Sequence, residues 1–188
     1  GHLLTESPHP RSLTLSDVAR HDAADGLAML FDECGMGEGA SAPEIVATDI
    51  SPAALTRARA GHYSQFEIQR GLPVRRMMTW FDSNGGDWAA KPELLRRIQF
   101  RQHNLTADAA PPGKFDVVLC RNVLLYFSQD VRRDVFAILA SAIRPGGLLV
   151  LGAGETVIGL TDRFRPCDQY RGCYRAVEAV PVKRAAFG

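Results

Sequence analysis

At 188 residues and 46% hydrophobic, the chain has material for one well-buried domain of ordinary globular composition. A formal net charge of +1, from 22 basic and 21 acidic residues spread along the chain, leaves no electrostatic footprint for nucleic acid or an anionic membrane. The four cysteines have no CxxC spacing, and no apolar run reaches the roughly 18 residues of a membrane span, so a zinc site, a disulfide framework and membrane insertion are all disfavoured. Reduced thiols in a cytoplasmic protein are expected, with no metal.

Residues 1–10, with Gly1-His2 and the run Ser7-Pro8-His9-Pro10, read as a disordered or tag-derived leader, so that folding begins near Arg11 and one domain occupies 11–188. SLTLSDV (12–18) reads as a strand, and GLAMLFDECG (26–35) has helical spacing and ends on a glycine. EIVATDI (44–50) is a second strand. The helix after it takes Ser51 as N-cap and Pro52 at its first position, and closes on Gly61. Residues 62–92 break the rhythm: they carry both tryptophans and a turn signal at Ser83-Asn84-Gly85-Gly86, and they exceed a normal αβ connection. They read as a small inserted subdomain. RIQFRQHNL (97–105) and FDVVLCRN (115–122) are strands, and the helix of SQDVRRDVFAILASAIRPGG (128–147) is stopped by Pro145-Gly146-Gly147. LLVLGAGE (148–155) is the fifth strand, and RFRPC (163–167) with GCYRAVEAV (172–180) forms an antiparallel edge hairpin. Such alternation predicts an α/β fold around a mostly parallel sheet.

In an open parallel sheet, ligands bind outside the carboxyl ends of the strands. The strand ends here carry Asp49, then His103-Asn104-Leu105, then Arg121-Asn122. An acid about twenty residues beyond the first βα loop accepts hydrogen bonds from both hydroxyls of a ribose. Singly, Asp49 reads as a strand terminator and each asparagine as a turn residue. Together, at consecutive strand ends, they point to a nucleoside site.

VATDIS, ARAGHYSQFEIQRGLPVRRM, FRQHNL, FDVVLCRNVLLYF, RPGGLLVLGAGETVIGL and FRPC followed by RGCYR resemble the catalytic domain of the bacterial chemotaxis receptor methyltransferases, the CheR family. The resemblance covers most of residues 26–175. It implies the Rossmann-like sheet of class I S-adenosylmethionine-dependent methyltransferases, with a small β-rich subdomain at 62–92. It also implies methyl transfer to glutamate side chains of a chemoreceptor or other protein substrate, leaving S-adenosylhomocysteine. The family's cofactor contacts fall on Asp49 for the ribose, on Asn104 and Leu105 beside the adenine, and on Arg121 and Asn122 near the methionine moiety. Arg121 and Tyr126 match the positions closest to the reacting centre. The packing alternatives are an ion pair of Arg121 with Asp116 or Glu155, and a core position for Tyr126. Glu155, at the end of the fifth strand, receives no catalytic role.

Two departures from the family stand out. Its glycine-containing first loop, close to STGxEPYS, is replaced here by RHDAADG (20–26), which sets Arg20 and His21 at the Thr-Gly pair and adds the charges of Asp22 and Asp25. Both changes are expected to weaken cofactor binding, by steric closure and by repulsion. The family's amino-terminal helical domain has no counterpart in residues 1–25. Two readings therefore stand: a protein-glutamate methyltransferase domain, and a non-catalytic relative, a binding or scaffold module that kept the fold and lost the cofactor. The oligomeric state is not legible.

Overall fold

A computed structural model describes residues 12–16, 22–37, 39, 42–69, 72–111 and 113–177; the expected leader, and Arg20 and His21 of the first loop, lie outside them. Strand β1 (Ser12–Ser16) pairs in parallel with β2 (Glu44–Asp49) on one side and β7 (Phe115–Cys120) on the other. Beyond β2 lies β6 (Ile98–Gln102), and beyond β7 lies β8 (Ile143–Leu151), both parallel to their neighbours. The edge is finished by β10 (Cys173–Ala176) and β9 (Phe164–Pro166), each antiparallel to its partner, in the order β6-β2-β1-β7-β8-β10-β9. Strand order thus reverses between β1 and β7, where the sheet opens a crevice at its carboxyl edge.

The alternation of side chains along β2 divides the core. Ile45 and Ala47 pack with helix α1 (Asp22–Glu33) and helix α2 (Pro52–Ala60) on one face. Val46, between them, packs on the other face among Val135, Phe136 and Leu139 of α6 (Gln129–Ala142). Helix α2 ends as its sequence predicts: the Ser51 hydroxyl accepts from the Ala54 N–H at 3.3 Å, Pro52 takes the first turn, and Gly61 closes in the left-handed region at φ 62°.

Three boundaries differ from expectation. Helix α1 begins at Asp22, four residues before Gly26, so Asp25 is a helical residue instead of a loop one. It is 2% exposed and accepts a hydrogen bond from the Tyr63 hydroxyl, which places its carboxylate in the interior. Helix α6 stops at Ala142, short of Pro145. The residue before a proline is driven toward extended backbone, Ile143 pairs with Phe115, and the register shifts before Val117 meets Leu148. Arg144 in this bulge pairs with Asp116 at 2.7 Å. Strand β8 ends at Leu151, and residues 152–155 turn back instead of extending.

Between α2 and β6 stands a second sheet of three antiparallel strands, in the order β3 (His62–Tyr63), β5 (Asp87–Ala90), β4 (Phe81–Asn84). Helices α3 (Gln65–Gln69) and α4 (Val74–Trp80) fill its crossover, and α5 (Pro92–Leu95) returns the chain to β6. Arg76 of α4 grips Glu33 of α1 with two hydrogen bonds, at 2.7 and 2.6 Å, which hold the Glu33 carboxyl below its ordinary range. The β4–β5 turn uses Gly85 and Gly86 at φ 60° and 100°, the positive pair that a two-residue hairpin requires. A Cβ added at Gly86 meets nothing within 4 Å, so Gly86→Ala tests backbone strain alone. It is expected to cost about 1–2 kcal/mol, read as a lower urea midpoint at constant slope.

Candidate functional site

Three strand ends meet at the carboxyl edge of the sheet and enclose a cavity of about 240 Å3, lined by residues 48–50 at the end of β2, 103–105 after β6, and Asn122, Val123, Tyr126 and Phe127 after β7. Asp49, Asn104, Leu105, Asn122 and Tyr126, read from sequence as site residues, are brought together here. Arg121 is exposed on the adjoining rim and does not line the cavity.

Asp49 closes β2 and begins the turn into α2. Its Oδ1 accepts the Ser51 N–H at 2.7 Å, and among the described residues no other donor meets its remaining lone pairs, which can accept from the hydroxyls of a ligand. The terminator reading and the ligand reading are therefore compatible. Asn104 is partly committed: its Oδ1 accepts from the backbone and the hydroxyl of Thr106, at 3.0 and 2.8 Å, while its own N–H donates to Asp108 at 2.6 Å. These bonds hold the turn that places Leu105 in the wall. His103 anchors the same turn through its N–H to the Asp49 carbonyl at 3.0 Å. Its ring is 9% exposed, with Nε2 buried and without a hydrogen-bond partner among the described residues.

The turn after β7 is shaped by an acid that sequence reasoning left without a role. Glu155, 8% exposed, accepts the N–H groups of Asn122 and Gly152 on Oε2 at 2.8 and 2.7 Å, and that of Leu124 on Oε1 at 2.8 Å. One carboxylate thus ties the end of β7 to the end of β8. Within this clamp Asn122 sits at φ 61°, in the left-handed region that asparagine tolerates better than most residues. The turn also throws Tyr126 outward, 84% exposed at the cavity mouth, so the core alternative for it is set aside. The ion-pair alternatives for Arg121 fail as well, because Asp116 pairs with Arg144 and Glu155 with backbone. Arg121 makes no ion pair among the described residues.

Thr48, Ile50, Val123 and Phe127 also line the cavity and were not singled out from sequence. They lie inside the motifs VATDIS and FDVVLCRNVLLYF, but as apolar or small wall residues they carry no polar signal of their own. An acceptor carboxylate, an asparagine amide, a buried imidazole and the apolar walls of Ile50, Leu105, Val123 and Phe127 fit a nucleoside, which presents hydroxyl donors and a flat apolar base. The volume lies just under the usual range of about 300–1,000 Å3 for small-molecule sites. It suits the nucleoside part of a cofactor, with the remainder extending along the crevice. No helix among the described residues is long and apolar enough to cross a membrane.

Residues 24–173 match the family model described as CheR methyltransferase, SAM binding domain. The chain is 43% identical over 136 residues to the chemotaxis protein methyltransferase Cher2 of Pseudomonas putida, a match covering 72% of this chain and 50% of that one. It is 45% identical over 121 residues to a chemotaxis protein methyltransferase of Vibrio parahaemolyticus, covering 64% of this chain and 44% of that one. The chain thus spans about half the length of the relatives it matches. Among solved structures, the TehB-like SAM-dependent methyltransferase of Corynebacterium glutamicum superposes with a TM-score of 0.51 at 14% identity, covering 90% of this chain and 80% of that one. That likeness establishes the α/β fold with a mostly parallel sheet.

Proposed function

Since the chain belongs to the CheR methyltransferase family, within its S-adenosylmethionine-binding domain, we propose that it transfers a methyl group from S-adenosylmethionine to glutamate carboxylates of a chemoreceptor-type protein substrate. The observation that carries this reading is the convergence of Asp49, Asn104, Leu105, Asn122 and Tyr126 on one cavity at the carboxyl edge of the sheet. Residues 11–188 act in it as one methyltransferase unit, with 62–92 as its inserted subdomain. A cytoplasmic location accompanies that substrate class.

Bound S-adenosylmethionine supplies an electrophilic methyl on a sulfonium. The chain's own groups hold and align the reactants. Asp49 accepts the ribose hydroxyls, the Leu105 side packs the base, and Asn104 offers its amide nitrogen. Asn122 and, from the rim, Arg121 would hold the amino-acid end of the cofactor, and the Arg121 guanidinium, which makes no ion pair among the described residues, would orient the incoming carboxylate. Tyr126 covers the reacting centre from the cavity mouth. Glutamate, with a reference pKa of about 4.3, arrives ionised at neutral pH, so the site needs no general base. Its work is proximity and exclusion of water.

The assay is transfer of labelled methyl to a glutamate-bearing receptor domain, followed as alkali-labile ester. Arg121→Ala and Tyr126→Phe are each expected to lower kcat/KM at least about tenfold, or roughly 1.4 kcal/mol, with cofactor affinity retained in the tyrosine variant. Absence of cofactor binding together with absence of transfer, in a folded protein, would favour the scaffold reading, which the Arg20-His21 replacement in the first loop supports at the level of sequence.

A further inference from the structure

The edge hairpin carries chemistry that the methyltransferase reading does not use. Along β9 and β10, Arg175 lies opposite Arg165 and Tyr174 opposite Pro166. The next position sets Cys173 opposite Cys167, and the Cys167 N–H donates to the Cys173 carbonyl at 2.9 Å. Both cysteines are free and half-buried. Opposed residues in such a bonded pair have Cα atoms about 5.5 Å apart, inside the span of about 4.4–6.8 Å found across disulfides.

The ladder is already half open at this point. The Cys173 N–H turns to the Tyr170 carbonyl at 3.3 Å instead of completing the pair with Cys167. The turn of residues 168–172 can therefore twist to bring the sulfurs together. Alternation places Tyr174, Ala176 and Phe164 in the core, and hence both cysteines, with Arg165 and Arg175, on the opposite face. There Arg165, Cys167, Asp168 and Arg175 line a shallow cavity of about 510 Å3. Among the described lining residues, two guanidinium groups stand against one carboxylate, a cationic balance.

We propose that Cys167 and Cys173 form a redox-active dithiol, closed to an intramolecular disulfide by exchange with a small anionic disulfide of the glutathione class. Cys167, in the cavity, is the attacking sulfur. Burial, with Cys167 nearby, pushes the Cys173 thiol up and keeps it protonated until it acts as the resolving group. The Cys167 thiolate attacks one sulfur of the reagent, the reagent's S–S bond breaks, and one thiol leaves after taking a proton. Cys173 then loses its proton and attacks the Cys167 sulfur, expelling the second thiol. Two electrons pass from the protein dithiol to the reagent, which ends as two thiols. The bond forms in an exposed hairpin and is readily reversed by the same exchange.

The test is incubation of a Cys34→Ser background with glutathione disulfide, followed by peptide mass mapping. Cys34 is the exposed competitor. A Cys167–Cys173 crosslink that dithiothreitol reverses is expected, and Cys173→Ser should stop at a glutathione adduct on Cys167. Arg165→Gln should slow the reaction several-fold at low ionic strength, with the difference lost at about 1 M salt, where the Debye length is about 3 Å. Unmodified thiols, or adducts on Cys167 that never resolve in the parent, would overturn the dithiol. Equal rates at low salt with neutral hydroxyethyl disulfide would overturn the assignment of an anionic reagent.

Discussion

Glu155→Ala is expected to lower stability by at least about 3 kcal/mol and to abolish measurable cofactor binding in the fraction that remains folded. The carboxylate holds three backbone N–H groups at 2.7–2.8 Å, and a buried donor left unsatisfied costs about 1–3 kcal/mol. The loss extends beyond stability, because two of those donors belong to the turn that fixes Asn122 at φ 61° and carries Val123, Tyr126 and Phe127 into the cavity wall. Glu155→Gln separates the two effects. It fills the same volume but aims an amide donor at N–H groups, so it should fall between parent and alanine in stability. Urea unfolding at constant slope measures the first effect, and ligand-induced thermal shift measures the second. A Glu155→Ala protein within about 1 kcal/mol of the parent, with binding intact, would show that the clamp is dispensable.

Asp49→Ala is expected to weaken binding of S-adenosylhomocysteine by about ten- to hundredfold, from the loss of charge-assisted hydrogen bonds worth about 1.5–3 kcal/mol. Alanine also removes the acceptor for the Ser51 N–H, which caps the turn into α2. Asp49→Asn keeps an acceptor at that turn and removes only the charge. It should therefore fold like the parent and still bind more weakly. If both variants bind as the parent does, the carboxylate is a turn residue and nothing more.

The parts of the fold that were legible are those specified by neighbours in sequence. Ser51, Pro52 and Gly61 fix α2 within ten residues, and Gly85-Gly86 fix the β4–β5 turn, because each acts through its own backbone. Errors arose where a partner distant in sequence decides. Pro145 suggested a helix running nearly to it, but the pairing of Ile143 with Phe115 draws the chain into the sheet first. Asp25 looked like loop charge aimed at the cofactor, yet Tyr63, 38 residues away, receives it inside the core. The same contrast runs through the site. Asp49, Asn104 and Asn122 could be read because polar residues at successive strand ends are conspicuous. Glu155 could not, since it binds backbone donors 31 and 33 residues away and no side-chain pattern records them. Its signal was an acid just beyond a buried strand, facing a turn whose N–H groups needed an acceptor.

Calorimetric titration of this chain with S-adenosylhomocysteine tests the central claim most directly, because it asks whether the cavity at the ends of β2, β6 and β7 receives the cofactor's nucleoside. The account predicts saturable one-site binding that Asp49→Ala diminishes and that leaves a Cys167→Ser protein unaffected. Absence of both heat and thermal shift at millimolar ligand, with the protein folded, would contradict it.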